Sequence, residues 1–168
     1  MCADTLHTIV PEEIGDGKQC EDEDVEFLEV EPNTKELDLT RYRIKKIEAL
    51  FLGANQIVDI ENLDTLTHIE VLSLPANAIQ EIKGLDNLAT LRELYLSQNG
   101  IQYITGLENN INLEILDLNH NRLRSISNIR HLHKLTDFWA KKISTYRSKV
   151  IRMLPQIEKL DATYCRVS

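Results

Sequence analysis

Apolar residues recur along this chain on two interleaved rhythms. The first is a short alternation: Leu50-Phe51-Leu52, Leu72-Ser73-Leu74, Leu94-Tyr95-Leu96 and Leu116-Asp117-Leu118. Alternation of this kind places neighbouring side chains on opposite faces of an extended segment, so each triplet predicts a short strand. In Leu94-Tyr95-Leu96 the two leucines point into a core, while Tyr95, Glu93 and Ser97 point outward. The second rhythm has a period of three, as in Ile57, Ile60, Leu63, Leu66, Ile69 and in Ile79, Ile82, Leu85, Leu88, Leu91. A later copy reads Leu123, Ile126, Ile129, Leu132, Leu135. That period fits a 3₁₀-like or tight irregular turn better than an α-helix at 3.6 residues per turn. An asparagine stands between the two rhythms each time, at Asn55, Asn77, Asn99 and Asn121, and the constant step between them defines a 22-residue unit.

Self-similarity at a fixed period of this length, written LxxLxLxxNxI, defines a leucine-rich-repeat solenoid. The expected fold is an α/β solenoid. It is a horseshoe with short parallel strands on its concave side, 3₁₀ or irregular turns on its convex side and a helical cap at the C-terminal end. Asn55, Asn77, Asn99 and Asn121 form a structural ladder, because an Asn side chain has two donors and an acceptor to satisfy loop backbone groups at each turn. The third copy departs from the pattern, with Asn110 where Leu or Ile is expected and Ile111 beside it.

The ends are irregular. Residues 1–24 read as an acidic, disordered tail, and 25–36 as an N-terminal cap in which Val25, Phe27, Leu28 and Val30 stand among acids. The repeats occupy 37–143. The first of them is incomplete: Tyr42 takes the asparagine slot too close to Asn55 to leave room for a full unit, which predicts a weak or distorted junction. At the far end 144–168 is the C-terminal cap. Tyr146, Val150 and Met153/Leu154 lie on one helical face, Ser144 is a candidate N-cap and Pro155 a stop, which gives a helix over 144–154 and a closing strand over 157–162. Ile143 sits where the next ladder asparagine belongs.

Charge is unevenly spread. Residues 1–31 hold eleven acids against Lys18 alone, a net of −10 within a total of −8, so residues 32–168 carry +2. An overall acidic chain is a poor candidate for electrostatic nucleic-acid binding, which needs a basic footprint. No apolar run reaches the length of a membrane span, and Met1-Cys2-Ala3-Asp4 has neither the basic nor the apolar part of a signal peptide. Cys2, Cys20 and Cys165 are odd in number and far apart, which speaks against a disulfide framework. No phosphate loop, dinucleotide fingerprint, zinc-protease motif or nucleophile elbow occurs. His131-Leu132-His133 has no cysteine or acid at ligand spacing, and Cys165 has no base placed to activate it. The expectation is a non-enzymatic chain with no cofactor and no metal.

Three stretches narrow the reading. They are Asp38-Leu39-Thr40-Arg41-Tyr42-Arg43-Ile44, the run Leu91–Ile101 with Gly106-Leu107-Glu108-Asn109-Asn110, and the terminal Tyr146–Arg166. Over about residues 36–168 they resemble the regulatory subunit 7 family of protein phosphatase 1, whose members have 22-residue leucine-rich repeats. The chain is shorter than that family's array and carries an internally cut first repeat. The resemblance implies a regulatory subunit, found in nucleus and cytoplasm, that binds the phosphatase catalytic subunit through its concave face. It carries the family's contact surface onto Phe51, Tyr95, Asp117, Asp137 and Trp139, all of which the alternation also turns outward. Large aromatics and paired acids on an exposed face are the composition of binding hot spots. The other partners expected are few: no nucleic acid, no membrane, and a monomer by itself. Two alternatives stay open, a scaffold of another intracellular complex (spliceosomal or ciliary) and a shortened form that no longer binds the phosphatase.

Overall fold

The computed structural model describes residues 47–140 and 146–161 in full, and the strand backbones of 6–9, 27–30 and 163–164. In chain order the elements are β1 (Leu6–Ile9), β2 (Phe27–Val30), β3 (Ala49–Phe51), β4 (Val71–Ser73), β5 (Glu93–Tyr95), β6 (Ile115–Asp117), β7 (Asp137–Trp139), α1 (Tyr146–Met153), β8 (Lys159–Leu160) and β9 (Thr163–Tyr164). They form one sheet in the order β2-β1-β3-β4-β5-β6-β7-β8-β9. From β3 to β8 every pairing is parallel and every step is one repeat, so Leu50, Leu72, Leu94, Leu116, Phe138 and Leu160 stand side by side. This is the leucine-rich-repeat horseshoe, with about five turns of parallel solenoid.

The central residue of each strand makes the core. Leu72, Leu94, Leu116, Phe138 and Leu160 are fully buried, and each burial contributes roughly 1.5–3 kcal/mol. On the convex side the period of three is a string of tight turns. Leu88 N–H donates to Leu85 O and Leu91 N–H to Leu88 O, and the same pairs recur at 63/66/69, 107/110/113 and 129/132/135. Bonds from residue i+3 back to residue i hold three residues per turn, so every third side chain faces the core.

Two left-handed residues per repeat bend the chain. Ala54, Ala76, Gln98 and His120 each precede a ladder asparagine, and Asn62, Gly84, Gly106 and Asn128 open the convex side. A Cβ on Gly84 or Gly106 would lie 2.2 Å from the carbonyl oxygen of Ile60 or Ile82, which explains glycine at both. Asn62 and Asn128 occupy the same slot because asparagine tolerates the left-handed region. Asn128 also donates to Ile104 O at 3.1 Å.

The asparagine ladder is realised bond by bond. Asn99 Oδ1 accepts Ile79 N–H at 3.0 Å, while its Nδ2 donates to Leu74 O, Leu96 O and Ser97 O. Asn77 and Asn121 repeat this set one repeat away on either side. Asn55 donates to Leu52 O and Gly53 O. Asn110, the irregular residue of the third copy, forms an extra rung on the convex side. It is fully buried, and its Nδ2 donates to both Leu85 O and Leu88 O at 3.0 Å. Ile111 beside it is left exposed.

At the C-terminal end α1 replaces the convex turns and buries Tyr146 and Val150, with Leu154 following. The helix lies within the expected 144–154, though Ser144 and Ile143 lie outside the described residues. Tyr146 donates its hydroxyl to Asp161, whose other oxygen accepts Ala140 N–H at 2.9 Å. Asp161 thereby performs at the cap a task that ladder asparagines perform inside the array. At the other end β3 pairs antiparallel with β1 at Thr8↔Leu50, and β1 with β2. Four residues of the segment expected as a tail are therefore strand. The incomplete first repeat, 37–46, falls outside the described residues.

Candidate protein-binding face

Parallel register with outward alternation writes two rows across the concave face. One reads Ala49, Val71, Glu93, Ile115, Asp137, Lys159, and the other Phe51, Ser73, Tyr95, Asp117, Trp139. Four of the five residues expected to bind a partner therefore share one row, and Asp137 lies in the row beside it. Phe51 is 39% exposed at the N-terminal end, separated from the others by Ser73.

Tyr95, Asp117 and Trp139 form a compact group. The rings of Tyr95 and Trp139 lie 6.3 Å apart at 28° although a whole strand separates them. Strands are spaced about 4.8 Å, so the two side chains lean toward each other over β6, the strand that carries Asp117. Asp117 Oδ1 accepts the Asn119 N–H at 2.8 Å, which fixes the carboxylate at the end of β6. Tyr95 donates its hydroxyl to Glu93 Oε2 at 2.8 Å. Burial, then that hydrogen bond, then the charges of Glu93, Asp117 and Asp137 hold the Tyr95 hydroxyl protonated well above the usual tyrosine range. The Trp139 indole N–H is buried and has no partner among the described residues, so the side chain meets the face through its ring.

Asp137 differs from expectation. The alternation turns it outward, but it is only 9% exposed. Thr136 Oγ1 donates to it at 3.0 Å and Lys159 Nζ lies 3.4 Å away. A cation one repeat further along the same row covers it, so Asp137 shapes the face rather than offering a free carboxylate.

The strand alternation did not single out two further features. Glu93 anchors Tyr95. Along the edge just before the strands, Arg92 forms a two-point contact with Glu114, at 3.1 and 3.0 Å, and lies 3.6 Å from Glu70. The signal for that clasp was the repeat step itself, which aligns Glu70, Arg92 and Glu114. His131 belongs to the convex side, where its Nε2 lies 2.9 Å from Leu107 O. Among the described residues no group of three His, Cys, Asp or Glu is placed to hold a metal ion. No helix among them is long and apolar enough to cross a membrane.

The comparisons agree with this architecture. The family model for leucine-rich repeats (two copies) matches residues 89–131. A crystal structure of the Drosophila melanogaster SNF/U2A′ complex is similar at 29% identity and a TM-score of 0.62, over 70% of this chain and 74% of that one. An internalin (inlF) from Listeria monocytogenes is similar at 27% identity and a TM-score of 0.57, over 68% of this chain. This chain spans 34% of the length of that internalin. The functional domain of InlJ from the same organism shares the fold at 22% identity and a TM-score of 0.55. No curated protein sequence matches. The chain thus has the leucine-rich-repeat fold.

Proposed function

We propose that the chain is a regulatory subunit of protein phosphatase 1 that binds the catalytic subunit through its concave face. The observation that carries this is the Tyr95–Trp139 pair leaning over Asp117, with Phe51 exposed further along the row. Paired rings beside a fixed carboxylate suit a partner that presents apolar surface together with basic side chains. The choice of that partner rests on the three stretches that resemble the phosphatase regulatory family. The role is binding without chemistry, in nucleus and cytoplasm, which fractionation of cells expressing the tagged chain would check.

The test is calorimetric titration of the catalytic subunit with the wild-type chain and with Trp139→Ala. A central aromatic hot spot costs at least about 2 kcal/mol on truncation, or roughly 30-fold in Kd. Equal affinity of both chains, each folded by circular dichroism, would overturn the concave-face reading. A second reading is a scaffold of another intracellular assembly, and the similarity to the SNF/U2A′ complex favours it. Capture of a stable partner complex lacking the phosphatase, together with no heat of binding to the phosphatase, would put that reading first.

A further inference from the structure

The solenoid is electrically polarised along its axis. Residues 47–119 hold eleven acidic and two basic side chains, a net of −9, whereas residues 120–161 hold ten basic and three acidic ones, a net of +7. The near-neutral total of the repeat region conceals this reversal.

One convex row concentrates it. Asp64, Asp86, Glu108 and Arg130 each stand at the first position after a buried or half-buried Leu63, Leu85, Leu107 or Ile129, one repeat apart, and Arg152 follows one 22-residue step further on, in α1, where it comes after the exposed Ile151. All five are exposed. Arg130 and Arg152 make no ion pair among the described residues, and neither do Asp86 and Glu108. The row therefore reads acid, acid, acid, base, base, and these four charges are unspent on the chain's own surface.

We infer that this convex row is a self-association surface, occupied by a second copy packed antiparallel about a two-fold axis. Charge order dictates the arrangement. Parallel copies in register set acid against acid and base against base, which repels. Antiparallel copies with the axis between Glu108 and Arg130 set Glu108 against the partner's Arg130 and Asp86 against the partner's Arg152, each contact occurring twice. An isologous contact of this kind closes as a dimer and does not grow. Exposed ion pairs are individually weak and screened by salt, and each chain's net charge of −8 opposes approach. The dimer is thus a low-salt, high-concentration species. The row lies on the convex side, so the inference does not depend on the concave partner.

The test is sedimentation velocity of the full chain at about 100 μM, in about 20 mM and about 300 mM salt, conditions that bracket the change in screening length. The expected result is a dimer in the first buffer and a monomer in the second. Two variants reverse opposite ends of the row: Arg130→Glu with Arg152→Glu, and Asp86→Lys with Glu108→Lys. Each alone should be monomeric at low salt, and their equimolar mixture should recover a one-to-one dimer. Arg152 lies in the last turn of α1, where the helix dipole favours a cation. Arg130→Glu alone serves as the variant that leaves the helix intact, and it should weaken association at least about tenfold. Monomeric wild type at low salt overturns the inference. So does continued association of either variant alone, or a mixture that stays monomeric.

Discussion

Asn99 gives the sharpest test of how the array is held together. It is 8% exposed and makes four hydrogen bonds, one accepted and three donated. Replacing it with alanine does not orphan all four partners. Leu74 O keeps the Nδ2 of Asn77 at 3.2 Å, Leu96 O keeps that of Asn121 at 2.8 Å, and Ser97 O keeps Ala76 N–H at 2.9 Å. Only Ile79 N–H, in the preceding repeat, loses its side-chain acceptor. One buried unsatisfied donor costs about 1–3 kcal/mol, and the small void left by the side chain adds on the order of 1 kcal/mol. Asn99→Ala should therefore cost about 2–4 kcal/mol.

Asn99→Asp separates hydrogen bonding from size. The new carboxylate still accepts from Ile79 N–H, but where Asn99 donated it now faces the carbonyl oxygens of Leu74, Leu96 and Ser97. Burial and those dipoles disfavour the charged form, so its folded pKa rises above the unfolded value. The folded state then binds the proton more tightly, and the deficit relative to wild type grows as pH rises through that window. At neutral pH Asn99→Asp should be less stable than Asn99→Ala, and at about pH 4, near the ordinary carboxylate pKa, the gap should narrow. Urea unfolding followed by circular dichroism, with the single Trp139 as a fluorescent reporter two repeats away, measures both. A loss below about 0.5 kcal/mol for alanine, within the range of an ordinary surface substitution, would refute the reasoning. Greater stability of the aspartate variant at neutral pH would refute it too.

Two further outcomes are expected. Gly106→Ala places a Cβ 2.2 Å from Ile82 O at φ +68° and should lower stability by about 2 kcal/mol or more; Gly106→Asn should cost less, because Asn62 and Asn128 hold the same slot, and thermal melts of the two variants decide. The hydroxyls of Tyr95 and Tyr146 are both held protonated far above the tyrosine range, chiefly by burial and then by the carboxylates of Glu93 and Asp161. Their folded pKa values exceed the unfolded value of about 10, so the stability they confer is complete below that pH and is lost as pH rises past it. Titration at 295 nm should show Tyr95 and Tyr146 staying un-ionised until the chain unfolds, and loss of both phenolic protons in the folded chain within the ordinary tyrosine range would contradict it.

The repeat core was legible because its causes are periodic. A leucine at every strand centre and an asparagine at a constant step are local choices that each repeat makes again, and the register Leu50–Leu72–Leu94–Leu116 follows from counting. The convex period of three was legible for the same reason, and it appears as turns whose bonds run from residue i+3 back to residue i. Single departures were harder to read. Asn110 breaks the apolar pattern, yet it is buried, because two carbonyls of the preceding repeat accept from it; no feature within its own repeat announces those acceptors. Asp137 obeys the outward rule and is nonetheless covered, since Lys159 reaches it from the next repeat. In a solenoid each repeat packs chiefly on its immediate neighbours, so most of what one repeat's sequence omits is held a full repeat away. The placing of Tyr95 against Trp139 belongs to that class at twice the separation, with β6 and its repeat between them. Alternation put both rings on one face, but only the lean of the two side chains toward each other brought them together over β6, and that lean gives the face its one paired aromatic surface among the described residues.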